Sequence, residues 1–224
     1  KLTVGRVQTP TLAMLVERAG QISNFQKEKY FNVELDCDGI PAVKPKIFDP
    51  DEAEQLRSRC HGNEAIVTAV KETEKKVKAP KLYDLTTLQR EANRIYGMTA
   101  KQTLDTAQSL YEKKLITYPR TDSQYLTEDM EQTARNVVSQ IYEKYQLTGP
   151  FDQPEQPDVK KVMNNSKVTD HHAIIPTMEL ASSHLDELKS WEEKILFLIA
   201  VHTVMAMSKD HIYQETEIEV ECQG

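Results

Sequence analysis

The sequence predicts an α+β protein with a β-rich domain and a mainly helical domain that contains a winged-helix-like (helix-turn-helix) unit. At 224 residues the chain is long enough for two domains, each with a core of its own. Segments near both ends alternate apolar and polar residues, which is the period of a strand with one exposed face. A block between them has the capping residues and apolar spacing of consecutive helices.

The first expected element is a short helix of about 10–19. Thr9 supplies a capping hydroxyl, Pro10 occupies the first helical position, and Gly20 ends the helix. Its apolar stripe consists of Leu12, Leu15 and Val16.

A β-hairpin follows this helix. Residues 30–36 alternate as a strand, and Asp38 with Gly39 supplies the turn into a second strand. Residues 212–220 also alternate, and we expect this last strand to return to the same sheet.

A helix and a further strand complete the β-rich part. Asp49 caps a helix that ends at about Arg59. Residues 65–77 are rich in β-branched side chains, which favour a strand.

Two consecutive helices open the helical part. Thr86 or Thr87 caps the first, and Gly97 can adopt the left-handed conformation that ends it. Thr99 caps the second, which extends to about Lys113. Because the turn between them is short and contains glycine, the pair resembles a helix-turn-helix.

The remaining elements are a short extended segment at 115–118, broken by Pro119, a helix that begins at Thr127, and a helix over about 185–207. Residues 148–158, with Pro150, Pro154 and Pro157, are expected to form a loop. The stripes of the two helices are Val137, Val138, Ile141 and Tyr145, and Trp191, Ile195 and Leu198.

The composition, with 39% apolar and 28% charged residues, is that of a folded, water-exposed protein, and no apolar run approaches the roughly 20 residues of a membrane span. Cys37, Cys60 and Cys222 are odd in number and far apart, which predicts a reduced, cytoplasmic protein without a disulfide framework or a zinc site. The start at Lys1 lacks both an initiator Met and a signal peptide, so we expect a fragment of a larger chain.

The charge is distributed unevenly along the chain. A net charge of −7 argues against a protein that coats DNA without specificity, since phosphate affinity comes mainly from Lys and Arg. Residues 71–120, however, carry eleven basic and six acidic side chains. This stretch is either an ordinary solvated face or a nucleic-acid contact.

The segment 116–123 carries the strongest chemical signal. If it is extended, side chains two residues apart point to the same side, so Arg120 lies beside the ring of Tyr118. A phenol with a pKa of about 10 is a poor nucleophile at neutral pH, and a guanidinium favours the phenolate and binds the phosphate that it attacks. A phosphotyrosyl bond also conserves the energy of a broken diester, so no nucleotide is needed.

Four motifs resemble those of type IA DNA topoisomerases, and they follow one another along the chain in the same order as in that family. Residues 116–123 resemble the active-site tyrosine motif and residues 107–112 the helix that leads into it. Residues 5–12 resemble a DNA-binding segment, and residues 171–177 a histidine-containing motif of the same family. The variants found here, Pro119, His172 and Ile175, resemble the topoisomerase III branch.

The resemblance implies a role for each matching residue. Tyr118 forms a covalent bond to the 5′ phosphate of a single-strand break, Arg120 stabilises the transferred phosphate, and His171 contacts a phosphate near the scissile bond. Arg6, Gln8 and Thr9, near a helix N-terminus that favours anions, are DNA-binding residues. Asp122 and Ser123 order the turn beside Tyr118, as in an Asx-type turn, and are placed with the DNA-binding residues.

The resemblance also implies a domain map and partners. Residues 1–22 belong to a DNA-binding helical lobe, 23–79 with 211–224 to a β-rich arch, and 80–210 to the helical domain that carries the tyrosine. Mg²⁺ is expected in a Toprim domain that is missing from this chain, which itself contains no predicted metal ligand. The expected substrate is single-stranded or underwound DNA; no membrane is involved, and a helicase partner is compatible with the family but is not indicated by these residues.

Two other functions stay open at the level of sequence. Asp36, Asp38 and the Asp170-His171-His172 run resemble metal ligands of the DHH phosphoesterases, and such carboxylates and imidazoles suit Mn²⁺. A winged-helix regulator without catalysis requires only the helix-turn-helix and the basic stretch. Neither alternative explains the pairing of Tyr118 with Arg120.

Overall fold

The computed structural model describes residues 5–147 and 157–223. The chain divides into two compact units, Lys1–Thr73 with Glu215–Gly224, and Glu74–Gln214. Within the described ranges, no helix combines the length and the apolar character needed to cross a bilayer.

The structure is an α+β fold, as predicted. Its strands are β1 (Phe31–Cys37), β2 (Ile40–Ile47), β3 (Ile66–Val77) and β4 (His211–Glu221). Its helices are α1 (Gln8–Ser23), α2 (Pro50–Cys60), α3 (Leu85–Tyr96), α4 (Ala100–Glu112), α5 (Glu131–Tyr145) and α6 (Ser190–Ala206). The assignment of residue ranges to named lobes stays a prediction.

The predicted hairpin is confirmed. Strands β1 and β2 are antiparallel, and Val33 and Ile47 from the two strands share a small core with Ala53 of α2. At the turn, the Asp36 carboxylate accepts the Gly39 N–H at 2.7 Å. The aspartates of this hairpin therefore have a local structural role.

The last strand does not join that sheet. Strand β4 pairs with β3 in a separate two-stranded sheet, where the Thr68 hydroxyl donates to the Glu219 carbonyl at 3.4 Å. Apolar alternation identifies a strand but carries no information about its partner, which is why the prediction of a return to the first sheet was wrong. The same arrangement brings Cys60 and Cys222, both free, into contact: the Cys60 thiol lies 3.5 Å from the Cys222 carbonyl.

The start and the end of the second unit meet at Asp210. Its carboxylate accepts the Ala79 N–H at 3.2 Å and forms ion pairs of 3.0 Å with Lys76 and Lys161. Hydrogen bonds from Lys161, from the Ala79 backbone and from Lys76 hold the pKa of Asp210 well below its usual range. The carboxylate therefore stays charged and joins the ends of β3 and β4.

The first helix differs from its prediction. It begins at Gln8 and continues through Gly20 to Ser23, because a single glycine inside a helix costs only about 1 kcal/mol. Thr9 lies within the first turn, where its hydroxyl accepts the Gly5 N–H at 3.2 Å instead of capping a later start. The predicted apolar stripe exists but is exposed: Leu12, Leu15 and Val16.

The helix-turn-helix is confirmed, with one change of cap. Asp84, and not Thr86 or Thr87, caps α3; its carboxylate accepts the Thr87 N–H at 2.7 Å in a capping box. Gly97 has the left-handed conformation at φ 68° that ends this helix, and Thr99 caps α4 as predicted.

The two later helices complete the core of the second unit. A short 3₁₀ turn precedes α5, so the α-helix begins at Glu131, four residues after the predicted start at Thr127. Helix α6 begins at Ser190, later than predicted. Its apolar residues lie on nearly all sides of the helix, so their spacing predicts the buried face only in part. Of the predicted stripe, Ile195 is buried and Leu198 packs half-buried against the core, but Trp191 is 46% exposed. The buried face also includes Leu196, Ile199 and Thr203. In the predicted loop 148–158, Pro150 and Pro154 lie outside the described residues.

One buried carboxylate joins α4 to α6. Glu192 is 3% exposed and accepts hydrogen bonds from Ser109 Oγ at 2.6 Å, Lys113 Nζ at 2.7 Å and Lys189 N at 2.9 Å. Burial alone raises the pKa of Glu192, but the bonds from Lys113, Ser109 and Lys189 outweigh it and lower the pKa to about 2. The ionised form is therefore the one that the fold stabilises.

We expect Glu192→Gln to lower the free energy of unfolding by about 2–3 kcal/mol at neutral pH, because Lys113 loses its buried counterion. Since the folded pKa lies below the unfolded value, this stabilisation is complete above about pH 4.5 and is lost as pH falls toward 2. Urea unfolding as a function of pH measures it. The control is Glu193→Gln, an exposed neighbour on the same helix, which should change little; equal effects would contradict the prediction.

Candidate active site

The site is built around residues 173–177, which we call the central strap. Its interior side chains are buried, and its backbone is hydrogen-bonded on both sides by segments far away in sequence. The bonds are Ala173 N to Tyr125 O (2.9 Å), Ile174 N to Tyr83 O (2.8 Å), Thr177 N to Leu115 O (3.0 Å) and Thr117 N to Ile175 O (2.9 Å). The strap therefore fixes the residues on either side of Tyr118.

Tyr118 follows the last of these bonded residues and is half-buried between two rings. The Tyr111 ring meets it edge-on with centroids 5.4 Å apart, and the His171 ring lies against it at 4.3 Å with a tilt of 43°. Among the described residues, nothing hydrogen-bonds to the Tyr118 hydroxyl. Packing thus orients the phenol while its oxygen stays available to a ligand.

The structure separates the roles of the two adjacent histidines. The His171 side chain is exposed apart from its contact with Tyr118, and its backbone carbonyl accepts the Thr121 hydroxyl at 3.0 Å. The His172 ring instead turns toward the backbone, with Nδ1 2.8 Å from the Ala173 carbonyl oxygen. His171 is therefore the histidine that lies beside the phenol.

Arg120 does not lie against the Tyr118 ring. The backbone bends at Pro119 and Arg120, so the extended geometry on which the prediction rested is absent. Arg120 is exposed, and within the described ranges it has no hydrogen bond or ion pair. Its guanidinium is consequently free to bind an anion beside the phenol, but it does not contact the phenol in this conformation.

The loop after Tyr118 is ordered by hydroxyl groups and not by Asp122. The buried Thr121 hydroxyl accepts the Ser123 N–H at 3.1 Å, and the buried Ser123 hydroxyl donates to the Lys167 carbonyl at 2.8 Å. Asp122 is exposed and makes no hydrogen bond among the described residues. The predicted Asx-type turn is therefore wrong, because the adjacent hydroxyls satisfy the backbone from inside the fold.

The predicted DNA-binding residues of the first unit lie around the start of α1. Arg6, Gln8 and Thr9 are all exposed, and Gln8 and Thr9 belong to the first helical turn. Few N–H groups of this turn remain for an anion: the Thr9 N–H donates to the Gly5 carbonyl at 3.2 Å, and Pro10 has no N–H. The Thr11 N–H likewise donates to the Val7 carbonyl at 3.1 Å.

Two residues of the site were not predicted from sequence. Tyr111 precedes Tyr118 by seven residues on α4, and Thr121 follows it by three. The motif over 107–112 marked the helix, but only the packing shows that the Tyr111 ring meets the phenol.

Metal ligation is not a property of the described residues, among which no group of three His, Cys, Asp or Glu side chains is placed to hold an ion. The aspartates considered for a phosphoesterase site, Asp36 and Asp38, belong to the hairpin turn, where Asp38 has a φ of 54°. The turn accounts for both residues without a metal.

Comparisons with known proteins agree on one family. The sequence profile of a family described as DNA topoisomerase matches residues 1–224. DNA topoisomerase 3 of Bacillus licheniformis and that of Bacillus subtilis are each 37% identical over 100% of this chain, and that of Salmonella typhimurium is 33% identical over 98%. The chain spans 32% of the length of the two Bacillus proteins and 36% of the Salmonella protein.

A solved structure is also similar. Full-length topoisomerase I from Thermotoga maritima matches 100% of this chain and 37% of its own length, with a TM-score of 0.74 and 29% identity. The similarity thus covers both units and the central strap.

We expect Thr121→Val to lower the free energy of unfolding by about 1–3 kcal/mol, because the Ser123 N–H and the His171 carbonyl lose a buried partner. Asp122→Ala, at the neighbouring exposed position, removes any side-chain acceptor and should change the free energy of unfolding by less than about 0.5 kcal/mol. Denaturant titration of the two variants measures the difference. A larger loss for Asp122→Ala would restore the Asx-type turn.

Proposed function

This chain belongs to the type IA DNA topoisomerase family, and from that premise we propose that Tyr118 is the nucleophile that breaks and rejoins one DNA strand. The observation that supports this role is a phenol oriented by Tyr111 and His171, with a hydroxyl that no described residue engages. In this proposal the whole protein relaxes negative supercoils or decatenates DNA, and it uses no ATP.

The proposed step is a reversible phosphoryl transfer, in which each bond that forms replaces one that breaks. The Tyr118 oxygen attacks a phosphodiester, the new bond to phosphorus forms as the bond to the 3′ oxygen breaks, and the phenolic proton leaves as the 3′ oxygen gains one. The 5′ phosphate stays on the tyrosine while another strand passes. The free 3′ hydroxyl then attacks the phosphotyrosine and restores the diester.

Arg120 and His171 stabilise the phosphate during this transfer. Arg120 follows Tyr118 by two positions and has no ion pair with any described residue. A guanidinium binds two phosphate oxygens at once. His171 lies against the phenol ring, and in this proposal it donates a hydrogen bond to the same phosphate. Both groups touch the phosphate on the side of the nucleophile.

The leaving 3′ oxygen requires separate stabilisation. We propose that Mg²⁺ and the acidic residues that hold it belong to a Toprim domain encoded outside residues 1–224. Residues 5–147 and 157–223 contain no group that fits such a metal site, so no step here depends on the ion.

The proposed substrate is single-stranded or underwound DNA. The backbone of a single strand is a polyanion, and residues 71–120 supply a local excess of positive charge that can bind it. In the first unit, Arg6, Gln8 and Thr9 are proposed to bind a phosphate at the start of α1.

The confirmed helix-turn-helix formed by α3 and α4 favours a second candidate, a DNA-binding regulator without catalysis. That candidate predicts tight, sequence-specific binding to a duplex and no covalent product. A metal-dependent phosphoesterase lacks such structural support, since Asp36 and Asp38 form the hairpin turn.

In the protein encoded by the complete gene, we expect Tyr118→Phe to abolish covalent capture of a single-stranded oligonucleotide. Arg120→Lys should retain some capture but reduce it about 10-fold or more, because the charge remains and the planar fork is lost. A denaturing gel with end-labelled DNA measures both. If the Phe variant still forms an adduct, Tyr118 is not the nucleophile.

Residues 1–224 alone should neither form the adduct detectably nor relax supercoiled plasmid, even with added Mg²⁺. Loss of one preorganised electrostatic group costs about 10²–10³ in rate, and the proposal places several outside this chain. The assay compares the chain alone with the chain plus the remaining protein, supplied as a fusion. Robust capture by residues 1–224 would show that the acidic half of the site lies within them.

A further inference from the structure

A second aromatic residue follows Tyr118 in the same loop and lies near two lysines. The ammonium groups of Lys81 and Lys167 are 5.6 Å and 5.9 Å from the centroid of the Tyr125 ring. Both lysines are exposed, and across residues 5–147 and 157–223 neither forms an ion pair with a carboxylate. An aromatic ring with unpaired cations around it is the combination that binds a single nucleic-acid strand.

The fold fixes this cluster to the same frame as the proposed nucleophile. The Tyr125 carbonyl accepts the N–H of Ala173 in the central strap at 2.9 Å. The Lys167 carbonyl accepts the Ser123 hydroxyl at 2.8 Å, which holds the lysine beside the loop. Tyr125 therefore shares a loop with Tyr118, and Lys167 shares a chain segment with His171.

A cavity of about 300 Å³ lies beside the cluster, since its lining includes Lys81 and Gln124, the residue before Tyr125. Tyr83 and His202, stacked with centroids 3.7 Å apart, line it as well. Burial lowers the pKa of His202, so the stacked pair is uncharged at neutral pH.

Most charged side chains in the lining of this cavity are basic. Arg90 adds a cation next to Lys81, and the one carboxylate of the lining, Glu91, is engaged by Arg94 in an ion pair. The lining therefore adds one exposed cation, Arg90, to the positive charge around the Tyr125 cluster.

We propose that Tyr125, Lys81 and Lys167 form a stacking platform for one base of a single strand, with the two lysines on the phosphates that flank it. The inference rests on the proposed function for its substrate class. It adds a second point of attachment, a few nucleotides from the bond that Tyr118 breaks. Every base has a π-face, so the platform accepts every base. Stacking uses the face of the tyrosine ring and does not require its hydroxyl.

The test is titration of the chain with a fluorescent oligothymidylate of about 12 nucleotides at several salt concentrations. We expect Tyr125→Ala and Tyr125→Leu to weaken binding about 10-fold, since a stacked base contributes about 1–3 kcal/mol. Tyr125→Phe should bind as the unmodified chain does. Circular dichroism verifies that each variant folds, and equal binding by all variants would overturn the platform.

The lysines are tested by the salt dependence of the same titration. Lys81→Gln and Lys167→Gln should each reduce the slope of log affinity against log salt by about 0.7. The matched control is Lys194→Gln, which removes a lysine that also lies over an aromatic ring, Trp191 at 4.5 Å. A reduction of the same size in the control would contradict a specific role for the platform lysines.

Covalent capture by the complete protein separates this inference from the proposed function. If Tyr125→Ala binds the oligonucleotide normally while Tyr118 still forms its adduct, the platform is wrong and the function stands. If Tyr125→Ala weakens binding of the oligonucleotide but the complete protein without substitutions forms no adduct, the platform stands as a strand-binding site and the function is wrong.

Discussion

The backbone pairing of the central strap is the interaction on which the rest of the site depends. Residues 173–177 contribute few polar side chains, yet their hydrogen bonds join segments that are far apart in sequence, such as Thr117 and Ile175, which are 58 residues apart. Each buried N–H or carbonyl that lost its partner would cost about 1–3 kcal/mol, so the pairing is cooperative. Tyr118 and His171 meet because both adjoin this paired core and not because they attract each other.

A consequence is that the polar groups of the site are positioned indirectly. Tyr111 and His171 hold the phenol by ring contacts, while the hydroxyls of Thr121 and Ser123 hold the loop that carries Arg120. Within residues 5–147 and 157–223, the Tyr118 hydroxyl and the Arg120 guanidinium have no hydrogen-bond partner. Such an arrangement suits a site whose charges are neutralised only when a polyanion binds.

Local signals predicted the local structure well and the long-range pairing poorly. The turn at Gly39, the stop at Gly97 and the cap at Thr99 follow from conformational preferences of single residues, and the structure has all three. The partner of β4 depends on contacts across the chain, which no local pattern contains. Within the site, the motif identified Tyr118, but the bend at Pro119 that separates it from Arg120 is a property of the folded loop.

The bond between Ala79 and Asp210 has a thermodynamic consequence for the whole second unit. The chain enters and leaves this unit at one place, so if residues 80–209 opened while the bond and the β3–β4 pairing persisted, they would form a closed loop instead of two free tails. The conformational entropy lost when such a loop is closed grows only slowly with the length of the loop. While this bond persists, the two ends of the unit stay together even if the residues between them separate.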